Sequence, residues 1–189
     1  MRADDLPHIE VKSVAELHGW LEDHHATSGS VWLVTYKKSH PDYLPFGEVV
    51  EELMCWGWVD SSVRRVDEVR VKHLISPRKE TSAWSGINKS IVERMRAAGR
   101  MQPSGEASVA AAQANGMWEF LDDVERMVVP GDLAAALDPH RDTWEGWSPS
   151  VRRAWLEQIK LAKTAPTRAK RIAKCAEAAR KGLTNGGLR

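Results

Sequence analysis

The chain has 189 residues, 42% of them hydrophobic and 28% charged, with a formal net charge of only +1. That is enough for one domain of ordinary size, or a domain with a small appendage, and it excludes disordered, collagen-like and strongly polybasic classes. Two cysteines far apart, Cys55 and Cys175, and seven histidines without metal-ligand spacing exclude a disulfide framework and give no metal or cofactor to expect.

No apolar run approaches the roughly 20 residues of a membrane helix, so no membrane insertion is expected. The opening segment Met1 to Pro7 has no apolar core of a secretion signal, which makes the cytoplasm the expected location. After a start expected to be frayed, Ser13 can cap a helix to about His24, with Val14, Leu17, Trp20 and Leu21 at helical spacing. Val31 to Lys37, rich in β-branched and aromatic residues, predicts a strand. The stretch from Ser39 to Pro45 holds two prolines and predicts an irregular loop. Phe46, Val49, Val50 and Leu53 then recur at helical spacing, which assigns Glu48, Glu51 and Glu52 to the opposite side. Gly57 is placed to stop this helix.

Beyond Gly57, Val59, Ser61 and Val63 alternate with Trp58, Asp60, Ser62 and Arg64, the period of a strand, and Val69 to Ile75 predicts its partner. If Asp67 and Glu68 form a two-residue turn, Asp60 lies opposite Ile75 and Gly57 opposite Arg78. Asp60 and Arg78 then start about 10 Å apart along the ladder, at ~3.4 Å per residue. An arginine leaning back along its strand closes most of that gap, and a structural Asp60–Arg78 ion pair is the favoured consequence.

A further helix is expected from Ser85 or Asn88 to Ala98, with Asn88 as a candidate N-cap, and another between Gly105 and Ala114. Composition shifts at Pro130-Gly131, which divides the chain into an α+β N-terminal domain, residues 1–130, and a helical, basic C-terminal domain, residues 131–189. In the latter, Asp132 is a candidate cap for a short helix, Ser148-Pro149 opens a helix carrying Val151, Trp155 and Ile159, and a basic helix runs from Thr167 to about Lys181. The tail from Thr184 to Gly187 is expected to be mobile. Together these elements predict an α+β fold, a small, mostly antiparallel sheet of three or four strands packed with several helices.

Charge is segregated along the chain. Residues 1–149 hold 24 acids against 16 bases, and residues 150–189 hold 2 against 11. A basic helical face docked against the acidic body of the chain explains this better than nucleic-acid recognition. Helix periodicity spreads Arg152, Arg153, Lys160, Lys163, Arg168 and Lys170 over more than one face.

The segment Glu52-Leu53-Met54-Cys55-Trp56-Gly57-Trp58-Val59-Asp60-Ser61 resembles the "EALCFGWIDS" stretch of the YdeI/OmpD-associated, or bacteriocin-protection, family. The resemblance continues through Pro77-Arg78, Ser82-Ala83-Trp84-Ser85 and Asn88, then Gly99-Arg100-Met101, Gly105 and Gly116-Met117-Trp118. It closes with Asp132 to Leu137, Pro149 to Arg153, Ala162-Lys163 and Thr167 to Ile172. Trp56 stands where that family usually has phenylalanine, and Ile75-Ser76 where it often has Phe-Thr. The resemblance implies a role in protection against bacteriocins and brings no established reaction, ligand or catalytic set with it.

Of the nine tryptophans, Trp20, Trp32 and Trp155 sit on regular apolar faces and are expected in the core. Trp58 and Trp84 lie beside the polar candidates, as pocket wall or as core. The candidate ligand-binding set is Trp58, Asp60, Ser61, Arg78, Trp84, Ser85 and Asn88. Arg78 offers a planar fork for a carboxylate or phosphate, and Asp60 an acceptor for a ligand amine. Ser61 and Ser85 lack a histidine base, so no catalytic residue is assigned. His73 is expected as a core histidine and Cys55 as a small buried residue.

The expected function is bacteriocin protection or antimicrobial-stress resistance, through binding of a small molecule or antimicrobial peptide in a tryptophan-lined cleft. The alternatives are an enzyme of unknown specificity using Asp60 and Arg78 in the same cleft, and a nucleic-acid or acidic-protein adaptor working through the basic C-terminal helices.

Overall fold

A computed structural model describes residues 5–183 and Gly187. The chain divides into two units, Met1–Trp118 and Glu119–Arg189. The first contains β1 (His8–Glu10), α1 (Val14–His24), β2 (Val31–Tyr36), α2 (Phe46–Cys55), β3 (Trp58–Arg65), β4 (Arg70–Pro77), α3 (Gly86–Ala97) and α4 (Pro103–Ala114). The second is helical, with α5 (Asp122–Glu125), α6 (Gly131–Leu137), a 3₁₀ turn (Asp138–His140), α7 (Arg141–Glu145), α8 (Pro149–Lys160) and α9 (Ala165–Arg180).

The sheet runs β1-β2-β4-β3. β4 pairs antiparallel with both β2 and β3, while β1 joins β2 in parallel. The fold is α+β as expected, but the sheet is mixed. The expected frayed start lies partly outside the described residues, but from Pro7 onward the chain is held to the sheet. Trp32 donates its N–H to the Pro7 carbonyl at 2.8 Å and Val11 to Val34 at 3.1 Å, and Arg70 holds Glu10 at 2.9 Å. A three-residue strand carries too little alternation to announce itself, and it exists because β2 offers an edge.

One core binds the first unit together. Leu17 and Leu21 of α1, Val31 and Leu33 of β2, Val49 and Leu53 of α2, Ile75 of β4 and Val92 of α3 are all buried in it. Helix starts follow side-chain chemistry. Ser13 accepts from the Glu16 N–H at 3.2 Å, and Ser85 from the Asn88 N–H at 3.3 Å. Ser85 is therefore the N-cap of α3, and Asn88, expected as a cap, sits three residues inside it. Gly57 ends α2 with φ +73°, the left-handed conformation that glycine adopts without a Cβ clash. Gly105 serves a different need. A Cβ built there would lie 2.1 Å from the Cys55 carbonyl oxygen, so α4 can approach the end of α2 only where the side chain is hydrogen.

The second unit begins earlier than the composition shift at Pro130-Gly131 suggests. α5 packs on α8 within this unit, with Lys160 on Asp123 at 2.7 Å and Arg153 on Glu125 at 2.6 Å. Those bonds draw residues 119–130 to the helices that follow. Asp132 is not the cap of α6, whose N-cap is Pro130; its carboxylate instead pairs with Arg168 at 2.8 Å. The basic residues thus dock on acids, as the charge segregation suggested, and those acids lie in the same unit. Ser148 and Thr164 cap α8 and α9. α9 starts two residues before the expected Thr167, because Pro166 is tolerated in a first helical turn. Thr184, Asn185 and Gly186, expected to be mobile, lie outside the described residues.

Gly105→Ala forces α2 and α4 apart and should cost about 2–3 kcal/mol, the scale of overpacking a filled interior. Gly19→Ala, mid-helix with nothing within 4 Å of the new methyl, should be neutral or stabilising by up to ~1 kcal/mol. Urea denaturation of both variants measures this, and an unperturbed Gly105→Ala midpoint contradicts the close approach.

Candidate functional site

The β3–β4 hairpin places the site through two departures from the simplest hairpin that cancel. The turn is longer than two residues. β3 ends at Arg65 and β4 begins at Arg70, and the Asp67 carboxylate closes the connection by accepting from the N–H groups of Val69 (2.9 Å) and Arg70 (2.7 Å). Alone, this would shift every pair by one. A bulge between Asp60 and Val63 shifts them back. Ser61 and Ser62 share Leu74 as their opposite residue, and Ser61 donates its hydroxyl to the Leu74 carbonyl at 3.3 Å. Asp60 therefore does pair with Ile75, and the Arg78 N–H donates to the Gly57 carbonyl at 2.9 Å.

Arg78 nevertheless does not reach Asp60. Its guanidinium lies over the Trp84 ring, 3.8 Å from ring centre to Cζ, and Nη2 donates to the Ala83 carbonyl at 2.8 Å. The loop that starts at Arg78 turns the side chain onto this platform instead of back along the strand. Trp84 is itself buried against Trp118, ring centres 5.1 Å apart, and its N–H is held by the Met117 carbonyl at 3.1 Å. The expected Asp60–Arg78 ion pair is absent. Arg78 Nε and Nη1 are buried without a hydrogen-bond partner, and burial pulls the guanidinium pKa down to about 10. Desolvation disfavours its charge, and among the described residues no carboxylate is bonded to it to compensate.

A cavity of about 260 Å³ lies beside this guanidinium. Val50, Leu53 and Met54 of α2 give it an apolar side, and Trp58, Val59, Asp60, Arg78 and Asn88 line the rest. Four of the seven candidate residues, Trp58, Asp60, Arg78 and Asn88, are thus brought to one cavity. Trp84 supports Arg78 from the core. Ser61 is exposed on the bulge and Ser85 is a helix cap, and neither lines the cavity. Trp58 is buried, edge-on to Trp20 at 5.6 Å, and it also lines, with Arg78, a second cavity of about 370 Å³ bordered by His25, Glu80 and Ser108. The charge that Asp60 does influence is that of His73. Burial lowers the His73 pKa and the Asp60 carboxylate opposes the shift, while the ring stacks on Phe46 at 3.8 Å. Cys55 is buried, and its thiol is pushed up to about 11 by desolvation and by Glu52, which leaves no nucleophilic thiolate at ordinary pH.

A second polar constellation escaped the sequence pattern. Glu52, assigned with Glu48 and Glu51 to the solvent side of α2, has a side chain only 4% exposed. It accepts from Trp56 Nε1 and from Arg100 Nη2, each at 2.8 Å, and meets His18 Nδ1 at 2.8 Å. The signal was available. Glu52 lies three residues after the core residue Val49 and four before Trp56, positions that share a helix face. Among the described residues, no group of three or more His, Cys, Asp or Glu side chains gathers to hold a metal, and no helix is long and apolar enough to cross a membrane.

An α+β unit carrying a tryptophan-backed arginine, followed by a helical unit rich in internal ion pairs, is what the comparisons with known families must fit. The chain belongs to the family described as "Domain of unknown function (DUF8412)", whose model matches residues 9–108. Residues 126–182 match a second family, described as "Bacteriocin-protection, YdeI or OmpD-Associated". The YdeI/OmpD-associated resemblance is thereby shown over residues 126–182, while the Cys55–Ser61 stretch and the segment from Pro77 to Asn88 fall inside the other match. No curated protein and no solved structure matches the chain.

Removing the Glu52 side chain leaves the buried Trp56 indole N–H without its acceptor, while Arg100, 39% exposed, keeps Glu51 at 3.7 Å. Glu52→Ala should cost about 1–3 kcal/mol in chemical denaturation, the scale for a buried donor left unsatisfied. Asp60→Asn should move stability by less than about 0.5 kcal/mol. A large loss in Asp60→Asn would show that Asp60 holds the hairpin after all.

Proposed function

We propose that this protein acts in bacteriocin protection or antimicrobial-stress resistance as a binding protein, holding a small molecule or peptide by an anionic group in the cavity of Trp58, Asp60, Arg78 and Asn88. The observation that carries this reading is the Arg78 guanidinium, stacked on Trp84 with two buried nitrogens unsatisfied. Buried cationic donors left unsatisfied are costly, and a ligand carboxylate or phosphate supplies the missing acceptors in the fork geometry that arginine prefers. Asp60 lines the same cavity without pairing with Arg78, which suits a ligand that also carries an amine. The volume, about 260 Å³, lies near the lower end for ligand sites, so the occupant is a small molecule or the terminal residue of a peptide. The cytoplasm is the proposed location.

An enzyme is the second reading, and one observation favours it. Asp60 lines the cavity without bonding to Arg78, so its carboxylate can meet a substrate there. A substrate screen in which Asp60→Asn turns over as fast as the native chain argues against it. The adaptor reading has less support, since Arg153, Lys160 and Arg168 are bound to acids of their own unit.

Calorimetric titration with free amino acids and with peptides bearing free or amidated C-termini tests the binding reading. Arg78→Gln should weaken a free-carboxylate ligand about thirty-fold or more, the equivalent of ~2 kcal/mol for a charged hydrogen bond. It should leave thermal stability unchanged or raised, because an unpaired buried charge is removed. Equal affinity for native and Arg78→Gln protein sinks the proposal.

A further inference from the structure

The second unit contains a cavity of about 260 Å³ of its own, lined by Met127, Arg141, Trp144, Glu145, Arg152 and Leu156 among others. Arg152 and Leu156 stand one turn apart on α8 and share a face. Trp144 and Leu156 are buried and give the cavity apolar walls. Arg152 differs from the bases around it. Arg153 binds Glu125 and Glu157, Lys160 binds Asp123, and Arg168 binds Asp132. Arg152 has no such pair, and its Nε is buried without a partner. Arg141 also lines the cavity, but Glu145 holds it at 2.8 Å, so one positive charge is left uncompensated there.

Met127 provides a second, independent observation. Among the described residues it is the one non-glycine with positive φ, +57°. It closes α5 in a Schellman arrangement, with Met127 N–H on the Val124 carbonyl (3.0 Å) and Val128 N–H on the Asp123 carbonyl (2.8 Å). Glycine is the usual residue at this position because a side chain is strained in the left-handed region. Here the strained residue keeps a long apolar side chain, and it lines the cavity. Strained backbone of this kind concentrates at ligand sites.

We propose that this cavity is a binding site for a monoanionic carboxylate with an aromatic or apolar body. The carboxylate sits on Arg152, and the body lies against Trp144, Leu156 and Met127. All of these residues fall within the bacteriocin-protection match at residues 126–182. The inference rests on different residues from the Arg78 site and stands whether or not that reading holds.

The test is an NMR titration of the arginine Nε–H resonances of the full chain with benzoate, with inorganic phosphate and benzylamine as parallel probes. The Arg152 resonance is identified by its loss in Arg152→Gln. Benzoate should shift it saturably, phosphate and benzylamine should not, and Arg78→Gln should leave the benzoate response intact. By calorimetry, Arg152→Gln should weaken benzoate at least ten-fold. Met127→Gly should raise the melting temperature, because strain is relieved, while weakening benzoate several-fold through loss of the wall. A purely structural Met127 would not couple the two with opposite sign. The proposal is overturned if the Arg152 resonance does not respond, if phosphate binds in place of benzoate, or if benzoate affinity survives both the Arg152 and the Met127 variants.

Discussion

The first unit depends on one buried carboxyl group. Glu52 lies inside α2, nearly removed from water, and each of its three partners comes from a different place. His18 belongs to α1, Trp56 to the end of α2, and Arg100 to the turn between α3 and α4. A buried carboxyl without partners costs several kcal/mol, so the three elements are tied to one another by the need to satisfy it. The indole bond fixes Trp56 at the C-cap, where the chain leaves α2 through Gly57 in a left-handed turn. Arg100 brings the start of α4 close enough for Gly105 to sit against the Cys55 carbonyl. The direction in which β3 leaves the helix, and so the position of Trp58 and Asp60, follows from these constraints.

The candidate site is built on that fixed end. Gly57 accepts the Arg78 N–H, which joins the two halves of the hairpin at the point where the cavity opens. Side-chain direction is then decided by competition. Asp60 offers Arg78 a charge partner some distance back along the ladder, whereas Trp84 offers a flat surface in the loop that Arg78 itself begins, with the Ala83 carbonyl beside it. The stack wins because it is local and already ordered by Trp118 and Met117. Its consequence is that a cation and an anion line one cavity without neutralising each other.

Much of this was legible in the sequence, for identifiable reasons. Helix ends were readable because Ser13, Ser148 and Gly57 act through local chemistry that spacing reveals. The Asp60–Ile75 pairing follows even from a two-residue turn, because the bulge at Ser61-Ser62 returns the register. That bulge is invisible to period-2 counting, which assumes one residue for one. β1 was not legible because its cause lies in β2, far along the chain. α5 was missed because it is a single turn closed by methionine where glycine would have signalled its end. Glu52 is buried although its charge alone points to solvent. Its spacing from Val49 and Trp56 said otherwise. In the site, residue types pointed to Arg78, Trp58, Asp60 and Asn88, but the choice between ion pair and stack is a tertiary matter that no spacing contains.

The two arginines with unsatisfied buried nitrogens make a common physical argument. Buried donors in folded proteins are almost always paired, and this chain closely pairs its buried Glu52 carboxylate as well as the more exposed Asp123 and Asp132. Among the described residues, the buried side-chain nitrogens and oxygens left without partners belong to Arg78 and Arg152 alone. Each arginine lines a cavity, and each lies in a different unit and a different family match. An arginine exposed to water has no need of a partner, and one sealed in a dry core would be selected against for stability. An orphaned guanidinium beside a cavity is the arrangement in which an acceptor from outside the chain can supply what the fold withholds. Chemistry in both units is therefore better sought in anion recognition than in a nucleophile, since the two cysteines are buried thiols and the candidate serines are held in a bulge and a helix cap.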